Sequence, residues 1–298
     1  MSPAADGPGR TLAGVALEHP LLNAAGTART LDEVARLARS AVAAVTVGSY
    51  TLGERAGNGG EVYASREGYA VNALGMPNRG AAQLREELPR MAELAHAGGK
   101  PLVVSVAGFA PGEYGELAGL AAAGGADLVE LNLGCPNVWD DGAQKRIASF
   151  DPALVAASVA AAADASVPVG VKLSPLADPV LLAEVAAAVG ASTARFVVSC
   201  NTFPNGLALR PDGRPALDVR FGGVSGGAMK PIVLGQVAQL RAALPHAVDV
   251  VGVGGVRRGS DVHDLLQVGA TAVGLATAFW DRGEDPAVFG DLLADWVA

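Results

Sequence analysis

Residues 131–138 read L-N-L-G-C-P-N-V. An apolar run delivers Asn132, and then Gly134, Cys135 and Pro136 force a turn before Asn137. A thiol between two carboxamides can accept a proton if its pKa is lowered or if the substrate acidifies that proton. The only other cysteine, Cys200, sits in S-C-N-T beside Asn201 and Thr202. The two cysteines form no C-x-x-C pair, so no zinc or iron–sulfur site is expected. Lys172 is one of four lysines and lies inside an apolar run, V-G-V-K-L-S-P. It reads either as a lysine snorkelling from a rim or as a cation fixed to meet an anion.

These residues need a scaffold that brings distant segments to one place. Eight short apolar runs with a β-branched bias recur, at 20–27, 41–49, 101–109, 126–134, 168–175, 195–202, 248–256 and 272–280. Continuous apolar runs of this length suit strands buried on both faces. The segments between them carry helical periodicity; that at 151–165 starts with an Asp cap and Pro152. Repeated strand–helix units predict parallel strands, and eight of them predict a single-domain (β/α)8 TIM barrel over residues 1–298. A doubly wound open sheet is the alternative. Segments 50–80 and 203–229 hold little periodic pattern and read as long loops over the catalytic face.

In a barrel the last residues of each strand face the active site. That set is Asn23 to Thr27, Gly48-Ser49, Ser105, Asn132, Cys135, Lys172, Cys200-Asn201-Thr202, Gly254-Gly255 and Ala276-Thr277. Polar groups gather there while the strands stay apolar, which packing alone does not explain. The glycines at 254–255 and the turn at 276–277 suit a phosphate. A phosphate site, a strand lysine and a ring of amides together fit flavin mononucleotide (FMN), with Lys172 at the N1–O2 edge of its ring.

Composition narrows the partners. Half of the 298 residues are hydrophobic and the net charge is −8. An acidic chain lacks the positive face that nucleic acid or an anionic membrane needs. No secretory pattern opens the chain and no window approaches ~18 apolar residues. A cytoplasmic protein with a small-molecule substrate is expected.

The motifs resemble the dihydroorotate dehydrogenase family, class 1 in particular. They run through N-A-A-G-T (23–27), V-N-A-L-G-M-P-N-R-G (71–80), L-N-L-G-C-P-N-V (131–138) and G-V-K-L-S-P (170–175). They continue through S-C-N-T (199–202), F-G-G-V-S-G-G-A-M-K-P (221–231), G-V-G-G-V (252–256) and G-L-A-T-A (274–278). The resemblance implies that Cys135 is the base removing a proton from C5 of dihydroorotate, with hydride passing from C6 to flavin N5. It implies that Asn72, Asn132, Asn201 and Thr202 hold the pyrimidine beside the backbone of Leu74, Gly75 and Met76, with Asn137 a further contact. Cofactor contacts are implied at Lys172, Gly226, Gly254, Gly255, Ala276 and Thr277; the strand ends add Ala25, Gly26, Gly48, Ser49 and Asn132 as cofactor candidates, and Cys200 reads either as a packing residue or as a flavin contact.

One stretch departs from the family. Class 1 members carry Lys-Ser at the end of the second strand, where this chain has Val47 and Gly48 in V-T-V-G-S-Y-T. The nearest basic residue is Arg29, which reads either as a replacement for the missing cation, pairing with a carboxylate, or as a solvated residue. The departure leaves another cyclic amide as the alternative substrate. The tRNA-dihydrouridine synthases are similar in their N-x-G-C-P segment, but they carry basic RNA-binding surface that this acidic chain lacks. The resemblance further implies a homodimer. The electron acceptor would be fumarate, or NAD through an iron–sulfur flavoprotein partner.

Overall fold

Each of the eight apolar runs holds one strand of a single parallel sheet, the second strand running one residue past its run to Tyr50. They are β1 (Leu21–Asn23), β2 (Val45–Tyr50), β3 (Leu102–Val106), β4 (Leu128–Asn132), β5 (Val169–Leu173), β6 (Phe196–Ser199), β7 (Asp249–Val253) and β8 (Ala272–Leu275). The computed structural model describes residues 10–136, 139–140, 143–144 and 146–297. The sheet order is β1-β8-β7-β6-β5-β4-β3-β2, so the chain winds a (β/α)8 barrel whose two ends, β1 and β2, meet at a seam. The strands are shorter than the apolar runs. The eighth run stops being strand at Leu275, because 277–281 turn into a short helix.

Backbone bonds alone do not close the seam. Leu21 accepts from the Ala43 N–H at 2.8 Å. Above it the Asn23 carboxamide stands in for a peptide group. Its Nδ2 donates to the Thr46 carbonyl at 2.7 Å and its Oδ1 accepts the Thr46 N–H at 2.8 Å. Nδ2 also donates to Thr27 Oγ1 at 2.8 Å. At the top, Gly26 N–H reaches the Gly48 carbonyl at 2.7 Å, and Gly48 N–H reaches Ala28 at 3.0 Å. A carboxamide can do this because it carries one acceptor and donors in the same plane, like the backbone.

The helices pack outside. Thr30 and Glu33 form a capping box on α1 (Leu31–Ala38). Asp-Pro pairs start α4 (Pro152–Ala161) and α5 (Pro179–Gly190), with α2 (Leu88–Ala97) and α3 (Pro111–Ala123) before them. Then come α6 (Lys230–Ala243), α7 (Gly259–Gln267) and α8 (Ala287–Val297). Their apolar faces and the outward strand residues form the larger core. The barrel interior is a second core, filled by Leu22, Val103, Leu128, Phe196, Val198 and Val251. Leu12, from a short hairpin of Thr11–Leu12 and Val15–Ala16, joins it from below. No helix among the described residues is long and apolar enough to cross a membrane.

The two segments expected to be loops are partly strand. Tyr63–Arg66, Tyr69–Asn72, Phe203–Gly206 and Gly222–Ser225 pair into a four-stranded antiparallel sheet. The first two form a hairpin around Glu67 and Gly68, with Gly68 at φ 82°. These strands are four residues long and two of them contain glycine, too short and mixed to show alternation. Tyr63 ties the sheet to the barrel through Trp280, at 5.2 Å between ring centres, and through Asp281 at 2.9 Å.

The loop after β7 is held by one buried carboxylate. Asp261 of α7 receives Lys230 at 2.5 Å and the N–H groups of Arg257 and Arg258 at 2.8 and 3.0 Å. Burial alone would raise its pKa. The Lys230 ammonium and the two backbone donors outweigh that and hold it below the usual carboxylate range.

Two outcomes follow. Asn23→Leu strands the buried Thr46 peptide groups and should cost about 3 kcal/mol in urea unfolding; a loss under about 0.5 kcal/mol would contradict the seam account. Because the folded Asp261 pKa is depressed, its contribution is complete above about pH 4 and is lost as pH falls through the folded value. The melting-temperature gap between the wild type and Asp261→Asn should therefore narrow in acid, and a gap constant down to pH 3 would contradict it.

Candidate active site

The C-terminal ends of the strands and the small antiparallel sheet enclose one cavity. Around it stand Ala25, Gly26 and Arg29 after β1, Gly48 and Ser49 of β2, Asn132 and Cys135 at the end of β4, and Lys172 of β5. Cys200, Asn201 and Thr202 follow β6, Gly254 and Gly255 follow β7, and Ala276 and Thr277 follow β8. The antiparallel sheet and its loops add Asn72, Leu74, Gly75, Met76 and Gly226. Thus every residue proposed as a catalytic, substrate or cofactor contact lines this cavity except Asn137, which lies outside the described residues; of the strand-end set, Asn23, Thr27 and Ser105 do not line it.

Strand register explains the polar floor. Ser105 of β3 stands opposite Glu130 of β4, and Asn132 stands opposite Lys172 of β5. Residues two apart on a parallel strand share a face, so Glu130 and Asn132 both turn into the barrel, Glu130 one layer deeper. Lys172 is 5 % exposed and Glu130 is 3 % exposed. The ammonium therefore does not reach bulk water, as snorkelling would require. It lies 3.9 Å from Glu130 Oε1.

These groups form one hydrogen-bonded chain. Asn201 Nδ2 donates to Asn132 Oδ1 at 3.1 Å, and Asn132 Nδ2 donates to Ser49 Oγ at 2.8 Å. Ser49 and Ser105 hydroxyls are 2.8 Å apart, and Ser105 donates to Glu130 Oε1 at 2.8 Å. An NH2 group only donates and a carboxylate only accepts. The ends therefore fix the middle: Ser49 donates to Ser105, and the chain runs one way from Asn201 to Glu130. Asn132 Oδ1 also takes the Gly134 N–H at 3.3 Å, and Tyr114 donates to the Asn132 carbonyl at 3.2 Å.

The opposite wall is glycine. Gly226, Gly254 and Gly255 have φ of 85°, 129° and 80°. A Cβ on Gly255 would sit 2.6 Å from the Lys230 backbone. Gly26, at φ 98°, would direct a Cβ into open space. Backbone laid bare in this way admits a phosphate or a ring at close range. Arg66 and Arg257 also border the cavity. Flavin mononucleotide fits these features: a glycine wall beside arginine for its phosphate, and a buried ammonium with amides for its ring.

The departure at 47–48 has a structural reason. Val47 is fully buried in the outer core. Gly48 has φ 99°, and a Cβ there would meet the Ser105 carbonyl at 2.4 Å. Neither position can carry a lysine into the cavity. Arg29 enters it from the neighbouring strand end, and its guanidinium has no hydrogen bond or ion pair among the described residues.

The two thiols differ. Neither forms a disulfide. Burial pushes Cys200 up to about 12, against the pull of Lys172, so it stays a neutral packing thiol. Cys135 is half-buried on the cavity wall. Sequence reasoning missed the part played by Glu130. A glutamate inside an apolar strand, two residues before Asn132, was the available signal; its meaning required the register with Ser105.

The sequence pattern of the family described as "Dihydroorotate dehydrogenase" matches residues 9–293. A dihydroorotate dehydrogenase B (NAD(+)) catalytic subunit from Methanopyrus kandleri is 38 % identical over 256 residues, 84 % of this chain and 76 % of that one. Dihydroorotate dehydrogenase A (fumarate) from Lacticaseibacillus paracasei is 33 % identical over 292 residues, 95 % of this chain and 96 % of the relative. The fold is shared with the Eimeria tenella dihydroorotate dehydrogenase solved in complex with ferulenol. Its TM-score is 0.83 at 17 % identity, covering 96 % of this chain and 82 % of the other. A barrel with this cavity, matched along nearly its whole length, belongs to the dihydroorotate dehydrogenase family.

Proposed function

We propose that the protein oxidises dihydroorotate to orotate, with FMN as its resident cofactor. One observation carries this reading: Cys135, Asn132, Asn201 and Lys172, from three strand ends and a loop, face one cavity with a glycine wall. When bound, FMN supplies the acceptor for the hydride that leaves C6. Cys135 takes the proton from C5, so the C5–C6 bond becomes double as proton and hydride depart.

The carboxamides of Asn72, Asn132 and Asn201 pair with the ring amides, with Thr202 beside them. The backbone of Leu74, Gly75 and Met76 closes over the ring. Arg29 supplies the cation for the substrate carboxylate, in place of the lysine that Val47 and Gly48 cannot carry into the cavity. Gly226, Gly254, Gly255, Ala276 and Thr277 take the cofactor phosphate side, and Lys172 faces its ring. The relatives' names support two routes for the electrons, fumarate directly or NAD through a partner subunit.

Anaerobic mixing of the purified flavoprotein with dihydroorotate tests the reading. The flavin absorbance should bleach with about one orotate formed per flavin. Cys135→Ala should slow bleaching by at least about a hundredfold while flavin stays bound, as expected for loss of a general base. An unbleached wild type holding flavin would redirect the substrate to another cyclic amide. An unchanged rate in the variant would remove Cys135 from the chemistry.

A further inference from the structure

Glu130 takes no part in the reaction as proposed, yet it is a carboxylate in the barrel interior directly below the cavity floor. It lines a small interior pocket with mostly apolar residues, among them Val103, Phe196, Val198 and Val251, and with Asn23 and Thr46, whose carboxamide and peptide groups are bonded to each other. Among the described residues its carboxylate has two polar partners, Ser105 at 2.8 Å and Lys172 at 3.9 Å. Burying a carboxylate in such a place is expensive, and a neutral glutamine could serve Ser105 as well. What glutamine could not supply is negative charge beside the one lysine that faces the cavity among the described residues.

We propose that Glu130 is a positioning residue that sets the charge presented to the cofactor ring, and so its reduction potential. This rests on the FMN reading but not on the identity of the substrate. A lone ammonium at Lys172 would favour a ring that gains negative charge on reduction. A carboxylate 3.9 Å from the same ammonium, in a low-dielectric interior, cancels much of that field. The floor is then close to neutral, and the bound flavin is a milder oxidant than Lys172 alone would make it. Ser105 fixes the carboxylate in place. Through Ser49 the same bonds fix which edge of Asn132 and of Asn201 faces the cavity.

Redox titration of the flavin-loaded protein, with no substrate present, tests this. Glu130→Gln should move the midpoint potential upward and raise the preference for reduced over oxidised FMN about tenfold, roughly one charge–charge interaction at short range. Ser105→Ala keeps both charges and should shift the potential far less. If Glu130→Gln does not fold, Glu130→Asp, which withdraws the carboxylate by one methylene, should shift it upward by a smaller amount. An unchanged potential in the folded Glu130 variant overturns the proposal, as does an equal shift in Ser105→Ala. A wild type that binds no flavin overturns the cofactor reading and this proposal together. One that binds flavin while the variants match it overturns this proposal alone.

Discussion

The site depends on a hydrogen-bonded chain that can run in only one direction. It starts at an amide that donates, Asn201, and ends at a carboxylate that accepts, Glu130. Between them Asn132, Ser49 and Ser105 have no freedom to reverse their donors. Its members come from β2, β3, β4 and the end of β6, so it is satisfied only when those strands hold their register. A half-satisfied polar network in a barrel would be worse than an apolar one. Site geometry and barrel closure are therefore one requirement seen from two sides.

The same coupling appears at the seam. Asn23 replaces a stretch of ladder between β1 and β2, and Gly48 completes the closure just above it. Gly48 can do so because it has no side chain to strike Ser105, and that blocks a lysine at this place in the site. Arg29, from the neighbouring strand end, lines the same cavity. The floor below shows similar economy. Lys172 lies 3.9 Å from Glu130, and Glu130 accepts from Ser105, which bonds through Ser49 to the cavity amides.

Much of this was legible in the sequence. Strands buried on both faces read as apolar runs, and polar residues at their ends stood out because packing cannot account for them. That is why Asn132, Cys135, Lys172 and Asn201 were identifiable, while the cause of the Val47–Gly48 departure was not. Its explanation lies in a backbone contact between neighbouring strands, which no local pattern encodes. Glu130 escaped for a related reason: its role depends on standing opposite Ser105 and beside Lys172, and register is a long-range property. The antiparallel sheet over the cavity escaped because strands of four residues show no periodicity.

On the proposed function, this floor of amides, with Arg29 at its margin, reads an anionic pyrimidine beside Cys135. A crystal structure of the flavin-loaded protein with orotate tests it most directly. The account predicts the ring paired with the Asn132 and Asn201 carboxamides, its C5 edge toward Cys135 and its carboxylate on the Arg29 guanidinium. Orotate bound with its carboxylate away from Arg29, or its ring away from the two amides, would contradict it.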